Sequence, residues 1–203
     1  MKIAIFTNNA KKCAEISEIF SQLNVDVIRY TELLGNTLDV VEDGTTFEEN
    51  ALKKVQAMPE RDDVIYLGDD SGIEVAALDN GPGIYSARYA GENATCEQMC
   101  VKMLGDIAGQ EDRRARFVSA ISLRFPEGVY KTVEGTVYGT LTESMIGDNG
   151  FGYDPIFQPE GFDCTFAQMS PEQKHQLSHR GKALRLACNL LHEYLLAEKI
   201  ENS

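Results

Sequence analysis

The chain opens with MKIAIFTNNAKKCAEISEIFSQLNVDVIRY, residues 1–30, and this stretch decides the class of fold. Residues 2–7 form a short apolar run rich in β-branched side chains, which predicts a strand. Apolar residues then recur at helical spacing from Cys13 to Leu23. Residues 26–31 predict a second strand. Because helical connections of this kind join parallel strands, the opening favours an α/β fold.

Capping patterns mark the helix starts further along the chain. In such a pattern a Ser or Thr is followed three residues later by Glu or Gln, and the two side chains satisfy free backbone N–H groups. The pattern occurs at 46–49, at 95–98 and at 170–173. A final helix places four apolar residues on one face, namely Leu184, Ala187, Leu191 and Leu195.

The middle of the chain is richer in strands. Residues 64–67 and 73–78 predict strands on either side of an acidic turn, GDDSG at 68–72. Residues 116–125 and 129–141 predict two long strands joined by a Pro-Glu-Gly turn, which is an antiparallel arrangement. The whole chain therefore predicts an α/β fold with a mixed, twisted β-sheet and flanking helices.

Length and charge limit the function. With 203 residues, we expect a single domain over residues 1–203. The net charge of −13 repels nucleic acid and anionic lipid, so we expect neither as a partner. An anionic substrate would need a local basic pocket and a divalent cation. The amino-terminal apolar run is too short for a signal peptide, and no apolar run is long enough to span a membrane, which favours a cytoplasmic protein.

The cysteines point to free thiols. There are five, at irregular spacing, which does not suit a disulfide framework. Cys96 and Cys100 lie four residues apart on a predicted helix and could share a metal ion, but they lack the further ligands that zinc requires.

Two segments carry groups that suit a metal-bound phosphate. Residues 7–12, TNNAKK, put hydroxyl and amide groups beside free backbone N–H groups at a helix start, with two lysines one turn later. A capped helix with exposed lysines is the alternative. Glu42, Asp69 and Asp70 are carboxylates on predicted turns near strand ends, where they could bind magnesium and orient a water. A solvated acidic turn is the alternative there.

Two other segments suit a planar base. Residues 150–154, GFGYD, let the backbone approach a flat ligand, with an aromatic stacking face and an acceptor in Asp154. A tight turn with aromatic core anchors would look the same. Lys174, His179 and Arg180 form a basic group that can donate to carbonyl and phosphate oxygens. Together the four segments describe a ligand with a base and a magnesium-bound polyphosphate.

Six ordered blocks resemble the inosine triphosphate pyrophosphatase family, whose members hydrolyse non-standard purine nucleoside triphosphates to the monophosphate and diphosphate. The match runs from residue 3 to about residue 185. The blocks are TNNAKK at 7–12, TFEENALKK at 46–54, GDDSGIEVAAL at 68–78, GPGIYSARYAG at 81–91, GFGYDPIF at 150–157 and KHQLSHRGKAL at 174–184.

The resemblance implies a fold, an assembly and a set of site residues. The fold would be an elongated mixed α/β structure of two lobes around a central cleft, usually a homodimer. Glu42 and Asp70 would bind Mg²⁺, Asp70 would also accept the proton of the attacking water, and Ser71 would touch the substrate. The phosphates would be held by Thr7, Asn8, Asn9, Ala10, Lys11 and Lys12. The rest of the nucleotide would be held by Phe151, Gly152, Tyr153, Asp154, Lys174, His179 and Arg180.

Base selection follows from hydrogen-bond polarity. Phe151 would stack on the purine, while His179 or Arg180 donates to its 6-oxo group. Adenine has an amine there, so a donor would face a donor at a cost of about 1–3 kcal/mol. Guanine shares the 6-oxo group, so its rejection must come from the edge with the 2-amino group.

Two other functions stay open at this stage. One is a pyrophosphatase of related fold that acts on pyrimidine or modified nucleotides, and the other is a non-catalytic nucleotide-binding protein. The chain also departs from the family pattern at Gln168, at His175 and at residues 146–149. These departures bear on base preference more than on the type of reaction.

Overall fold

The computed structural model describes residues 1–7, 9–23 and 25–201 and has a mixed α/β architecture. The strands are β1 Lys2–Phe6, β2 Asp26–Arg29, β3 Val64–Val75, β4 Gly81–Pro82, β5 Arg114–Arg124, β6 Tyr130–Leu141 and β7 Phe157–Pro159. The helices are α1 Ala10–Phe20, α2 Tyr30–Leu34, α3 Phe47–Gln56, α4 Cys96–Asp106, α5 Pro171–Leu177 and α6 His179–Glu201.

One mixed sheet contains all the strands of the described residues, in the order β2-β1-β3-β5-β6-β7, with β4 paired to β3. Strand β1 pairs in parallel with β2 and with β3. Strand β4 is antiparallel to β3, and β7 is antiparallel to β6. The predicted mixed sheet with flanking helices is therefore confirmed.

The chain divides into two compact units, each made of separate segments. The first unit comprises Met1–Asp70, Ala120–Glu134 and the segment that begins at Gly181. The second comprises Ser71–Ser119 and Gly135–Arg180. Each unit has its own hydrophobic core.

The core of the first unit lies on both faces of β1. Successive side chains of a strand point to opposite faces. Ile3 and Ile5 pack on one face with apolar residues of α1 and α6, and Ala4 and Phe6 pack on the other with Tyr30. The buried residues of α6 include three of the four predicted ones, namely Leu184, Ala187 and Leu191.

The core of the second unit is aromatic. Phe117 of β5 contacts the rings of Phe157 and Phe166 at centroid distances of 4.7 Å and 6.1 Å. Helix α4 contributes Cys100 and Met103 to the same buried cluster. This core supports the loop from 150 to 154, because Tyr153 and Ile156 are also buried in it.

Most predicted elements are present, but residues 76–78 of the strand predicted at 73–78 form a short 3₁₀ helix, and two further predictions were wrong. Residues 68–72 form no turn, because β3 runs without interruption from Val64 to Val75. Two lysines, the half-buried Lys12 and the buried Lys54, pair with the acidic residues of the strand, as described below. The strand predicted at 26–31 ends at Arg29, and residues 30–34 form helix α2, which buries Tyr30.

The three capping pairs each begin a helix as predicted: α3 after Thr46, α4 after Thr95 and α5 after Ser170. Within the part of the chain that the structure describes, no helix has both the length and the apolar character needed to cross a membrane.

Candidate functional site

The first unit contains a group of five charged side chains, Lys12, Glu42, Lys54, Asp69 and Asp70, here called the carboxylate–lysine cluster. Lys12 Nζ lies 2.7 Å from Asp69 Oδ2, and the Asp69 side chain is fully buried. Lys54 Nζ lies 3.1 Å from Asp70 Oδ1 and 3.1 Å from Glu42 Oε2. It also donates to the carbonyl oxygen of Asp69 at 2.9 Å. Glu42 and Asp70 thus both pair with the ammonium group of Lys54.

Strand geometry explains the pairing of the two adjacent aspartates. Asp69 and Asp70 follow each other in β3, so their side chains point to opposite faces of the sheet. Asp69 pairs with Lys12 of α1, and Asp70 pairs with Lys54 of α3. The sequence-based prediction that these side chains diverge is confirmed, although they lie in a strand and not in a turn.

Gly68 permits the contact between α3 and β3. A Cβ atom at Gly68 would lie 2.5 Å from the carbonyl oxygen of Ala51 and 3.0 Å from Cβ of Lys54. Only glycine leaves enough space for α3 to lie this close to β3. The close approach allows Lys54 of α3 to reach Asp70 of β3.

The segment before α3 positions Glu42. Asn50 Oδ1 accepts the Gly44 N–H at 2.9 Å, and Glu49 Oε2 accepts the Thr45 N–H at 2.6 Å. Thr46 Oγ1 in turn caps the N–H of Glu49. These bonds tie residues 44–46 to the helix start, two residues after Glu42.

Burial and charge set the proton affinities in this cluster. Burial raises the pKa of Asp70, and Glu42 adds to the rise, whereas Lys54 and Lys12 lower it; the net pKa lies above its ordinary value. Burial lowers the pKa of Lys54, but the fields of Asp70, Glu42 and Asp69 outweigh it, so that this pKa is also raised. Lys54 therefore stays an ammonium.

One carboxylate oxygen of the cluster has no protein donor. Asp70 Oδ2 is buried and accepts no hydrogen bond from residues 1–7, 9–23 or 25–201. A buried polar atom without a partner is costly, so this oxygen is a natural ligand for a cation or a water. Across the same described residues, no three His, Cys, Asp or Glu side chains are grouped closely enough to hold a metal ion by themselves.

The start of α1, where phosphate binding was predicted, is capped by its own side chains. Asn9 Oδ1 accepts the N–H groups of Lys11 and Lys12 at 3.0 Å and 3.2 Å, and Thr7 Oγ1 accepts the Asn9 N–H. The expectation of free N–H groups was therefore wrong for Lys11 and Lys12, because a helix start satisfies these donors with its own cap. Ala10 and Lys11 are exposed, and Asn8 lies outside the described residues.

The second unit contains a group of aromatic and charged side chains, Phe151, Asp154, Lys174 and Arg180, here called the ring–cation cluster. Lys174 Nζ lies 4.6 Å from the centroid of the Phe151 ring, and Arg180 Cζ lies 5.5 Å from it. Asp154 Oδ2 accepts the Phe151 N–H at 2.8 Å and Lys174 Nζ at 2.7 Å. The loop 150–154 and the basic residues of α5 and α6 are thus brought together.

Gly150 makes the tight loop possible. Its φ is +76°, and a Cβ atom there would lie 2.1 Å from Asp154 Oδ2. Any other residue would push the Asp154 carboxylate away from the Phe151 N–H and from Lys174.

Ser71 and His179 are held at the border of this cluster. Arg180 Nη2 donates to Ser71 Oγ at 2.9 Å. The His179 ring stacks on Phe117, with centroids 4.7 Å apart and an angle of 9° between the planes. Ser71 and Arg180 both belong to the second unit.

Tyr153 and Gly152 have structural partners. The Tyr153 side chain is buried, donates to the carbonyl oxygen of Ser86 at 2.7 Å, and has a pKa raised by burial. The Gly152 carbonyl accepts the thiols of Cys96 and Cys100. Of the two rings in this loop, Phe151 is the half-buried one that can offer a face to a ligand.

The model of the Ham1 family matches residues 3–190. The chain belongs to the Ham1 family. A dITP/XTP pyrophosphatase of Staphylococcus aureus strain Mu50 is 46% identical over 198 residues, which is 98% of each chain. The solved Ham1 protein of Staphylococcus aureus is 44% identical, with a TM-score of 0.84 over 98% of this chain and all of that one. A solved Ham1 protein of Coxiella burnetii is 36% identical, with a TM-score of 0.86 over 95% of this chain and 99% of that one.

These matches confirm the family predicted from the six sequence blocks. For this Ham1-family chain, no role was predicted for Lys54 from the sequence. A signal was present: Lys54 lies three residues after Ala51 and seven after Phe47, on the face of α3 that is otherwise buried. A lysine on the apolar face of a helix needs an acidic partner. Asp69 was noticed as part of the acidic segment, but its pairing with Lys12 depends on tertiary structure.

Proposed function

We propose that this chain hydrolyses non-standard purine nucleoside triphosphates, ITP, dITP and XTP, to the nucleoside monophosphate and diphosphate. Water attacks the α-phosphorus and diphosphate leaves. The observation that carries the proposal is the buried Asp70 carboxylate, which has one oxygen free of protein donors and is flanked by Glu42 and Lys54. The curated relatives named dITP/XTP pyrophosphatases support the choice of substrate.

Asp70 and Glu42 suit a magnesium ion. Mg²⁺ usually binds proteins through one or two carboxylates and completes its shell with substrate phosphates and waters. The donor set fits this requirement, because Asp70 Oδ2 lacks a protein donor and Glu42 is partly exposed. When bound, the ion would neutralise charge on the phosphates and polarise the phosphoryl oxygens.

Asp70 has the properties of a general base. Burial raises its pKa, which makes the carboxylate a stronger proton acceptor, while Lys54 and Lys12 favour its ionised form. It orients the attacking water and takes its proton. Lys12 and Lys54 offset the negative charge of the phosphates, and Thr7, Asn9, Ala10 and Lys11, together with Asn8, lie in the segment that binds them.

The ring–cation cluster selects the base. Phe151 stacks on the purine, and Arg180 donates to its 6-oxo group, because its guanidinium already lies over the Phe151 ring. Lys174 and Asp154 hold the loop 150–154, which includes Gly152 and Tyr153. His179 and Ser71 lie at the edge of this base site. An adenine amine would face the Arg180 donor without an acceptor, at a cost of about 1–3 kcal/mol.

A substrate panel tests this proposal against its rivals. We expect diphosphate release from ITP, dITP and XTP to exceed that from ATP, UTP and dTTP, and in oxygen-labelled water the label should enter the monophosphate. Preferred turnover of UTP or dTTP would instead favour a pyrimidine pyrophosphatase. Tight binding of every triphosphate without diphosphate release would favour a non-catalytic nucleotide-binding protein.

The assembly and compartment follow the same family resemblance. The chain acts as a homodimer in the cytoplasm, and its five cysteines are all present as thiols in this fold. The chain forms one pyrophosphatase domain over residues 1–203. Sedimentation velocity tests the dimer, and a monomer at micromolar concentration contradicts it.

A further inference from the structure

Two thiols lie beneath the loop that carries Phe151. Cys96 is the first residue of α4, and Cys100 follows one turn later on the same face. The two thiols contact each other, and both donate to the carbonyl oxygen of Gly152, at 2.8 Å and 3.4 Å. The proposed function uses neither thiol.

The helix position allows the two sulfur atoms to bond. Residues four apart on a helix have Cβ atoms roughly 5–6 Å apart, whereas a disulfide needs about 3.5–4.5 Å. The difference must come from a small movement of the backbone. Cys96 can provide it, because the N–H of a first helical residue makes no bond within the helix. The Thr95–Gln98 capping box remains as the anchor of the helix start.

We propose that Cys96 and Cys100 form a reversible disulfide that weakens binding of the purine base, a regulation that rests on the function proposed above. The oxidant is a small-molecule disulfide. Cys96 attacks one of its sulfur atoms and releases a first thiol. Cys100 then attacks Cys96 Sγ and releases a second thiol. Two cysteine thiols are oxidised, and one small disulfide is reduced to two thiols.

The environments of the two sulfurs assign the order of attack. Cys96 is half-exposed and lies at a helix N-terminus, where the helix dipole favours a thiolate. Cys100 is completely buried, and burial together with the neighbouring Cys96 raises its pKa well above the usual range. A small disulfide can therefore reach Cys96 but not Cys100, which acts as the resolving thiol.

The disulfide would act on the base through Gly152. A disulfide has no S–H group, so oxidation removes both donors from the Gly152 carbonyl. Gly152 directly follows Phe151, whose N–H is held on the other side by Asp154. With the two thiol donors to Gly152 lost, the loop holds the Phe151 ring less firmly.

Mass spectrometry and product binding test the proposal together. The full chain is treated with oxidised glutathione, and the mass of the tryptic peptide 89–102, which contains both cysteines, is measured. We expect it to lose two hydrogen atoms, the dissociation constant of IMP to rise several-fold, and that of inorganic diphosphate to stay unchanged. Dithiothreitol should restore the original values.

Variants separate the pair from the other thiols. Cys96→Ser and Cys100→Ser should each abolish the effect on IMP, whereas Cys164→Ser, which changes another half-buried thiol of the same unit, should respond like the original chain. A stable glutathione adduct on Cys96 without loss of two hydrogens overturns the proposal. A complete disulfide that leaves IMP affinity unchanged also overturns it.

Hydrogen exchange keeps this test independent of the proposed function. If the reduced chain does not bind IMP, the proposed function fails. The amides of residues 151–154 should still exchange several-fold faster after oxidation, and unchanged exchange in the presence of the disulfide rules out the regulation.

Discussion

The two clusters have opposite charge balances. In the carboxylate–lysine cluster three carboxylates face two ammonium groups, whereas in the ring–cation cluster two cations, Lys174 and Arg180, face the single carboxylate of Asp154. The first cluster therefore has room for a further cation and suits a metal-bound phosphate. The second has donors in excess and suits a carbonyl on a base. Changes in the first should alter turnover of every substrate, and changes in the second should alter the choice among substrates.

Removing the proposed base should have the largest effect. Asp70→Asn keeps the shape of the side chain but not its proton affinity, so kcat should fall roughly 10²- to 10⁴-fold for every triphosphate. Nucleotide binding should stay measurable by calorimetry. Asp43→Asn is the control, because Asp43 is an exposed carboxylate that pairs with Lys53. Near-normal turnover of ITP by Asp70→Asn would remove Asp70 from the mechanism.

Removing the Lys54 ammonium group, which pairs with both Glu42 and Asp70, should destabilise the first unit. Lys54→Met leaves the buried Asp70 without its partner, and breaking a buried ion pair costs about 3–5 kcal/mol. The free energy of unfolding, measured in urea, should fall accordingly. Lys53→Met removes the neighbouring exposed lysine and should cost far less. Equal losses in the two variants would contradict the assignment of Lys54 to the buried cluster.

Removing the stacking ring should raise KM. Phe151→Leu keeps an apolar side chain but loses the aromatic face, and base–aromatic stacking contributes about 1–3 kcal/mol. We expect KM for dITP to rise with little change in kcat. The matched change Phe162→Leu, at a partly exposed phenylalanine of the same unit, should leave both constants unchanged. A fall in kcat alone would show that Phe151 does not hold the base.

The smallest effect is expected at a departure from the family pattern. Gln168 Oε1 accepts the Thr165 N–H at 2.9 Å, and a glutamate there can accept the same bond. Gln168→Glu should change the free energy of unfolding by less than about 0.5 kcal/mol. The ratio of XTP to ITP turnover should also stay constant. A clear change in that ratio would place Gln168 among the residues that select the base.

Sequence patterns predicted the elements whose signals are local. The strand–helix–strand opening and the capping pairs at 46–49, 95–98 and 170–173 depend on residues close together in the chain, and all are present. The acidic segment 68–72 was misread, because Gly and Asp disfavour strands unless tertiary contacts override that preference. Lys12 and Lys54 provide those contacts from two different helices. Helix α2 was missed because it spans a single turn with no side-chain cap.

The candidate site shows the same limit. Residues 150–154 and 174–180 were predicted to belong together, and Asp154, Phe151 and Lys174 are in contact. The sequence could not show that Asn9 occupies the N–H groups of Lys11 and Lys12, or that Tyr153 turns into the core. Both outcomes depend on which partner each group finds in the folded protein. A pattern of residue types does not specify that partner.

The central claim is that the carboxylate–lysine cluster drives turnover and the ring–cation cluster selects the base. The ratio of kcat/KM for dITP to kcat/KM for dATP tests this claim most directly. It should be measured in the original chain, in Asp70→Glu and in Arg180→Gln. We predict that Asp70→Glu lowers both constants together and leaves the ratio unchanged, whereas Arg180→Gln lowers the ratio by roughly tenfold, as expected for one lost donor. A ratio that falls in Asp70→Glu, or that persists in Arg180→Gln, would contradict the account.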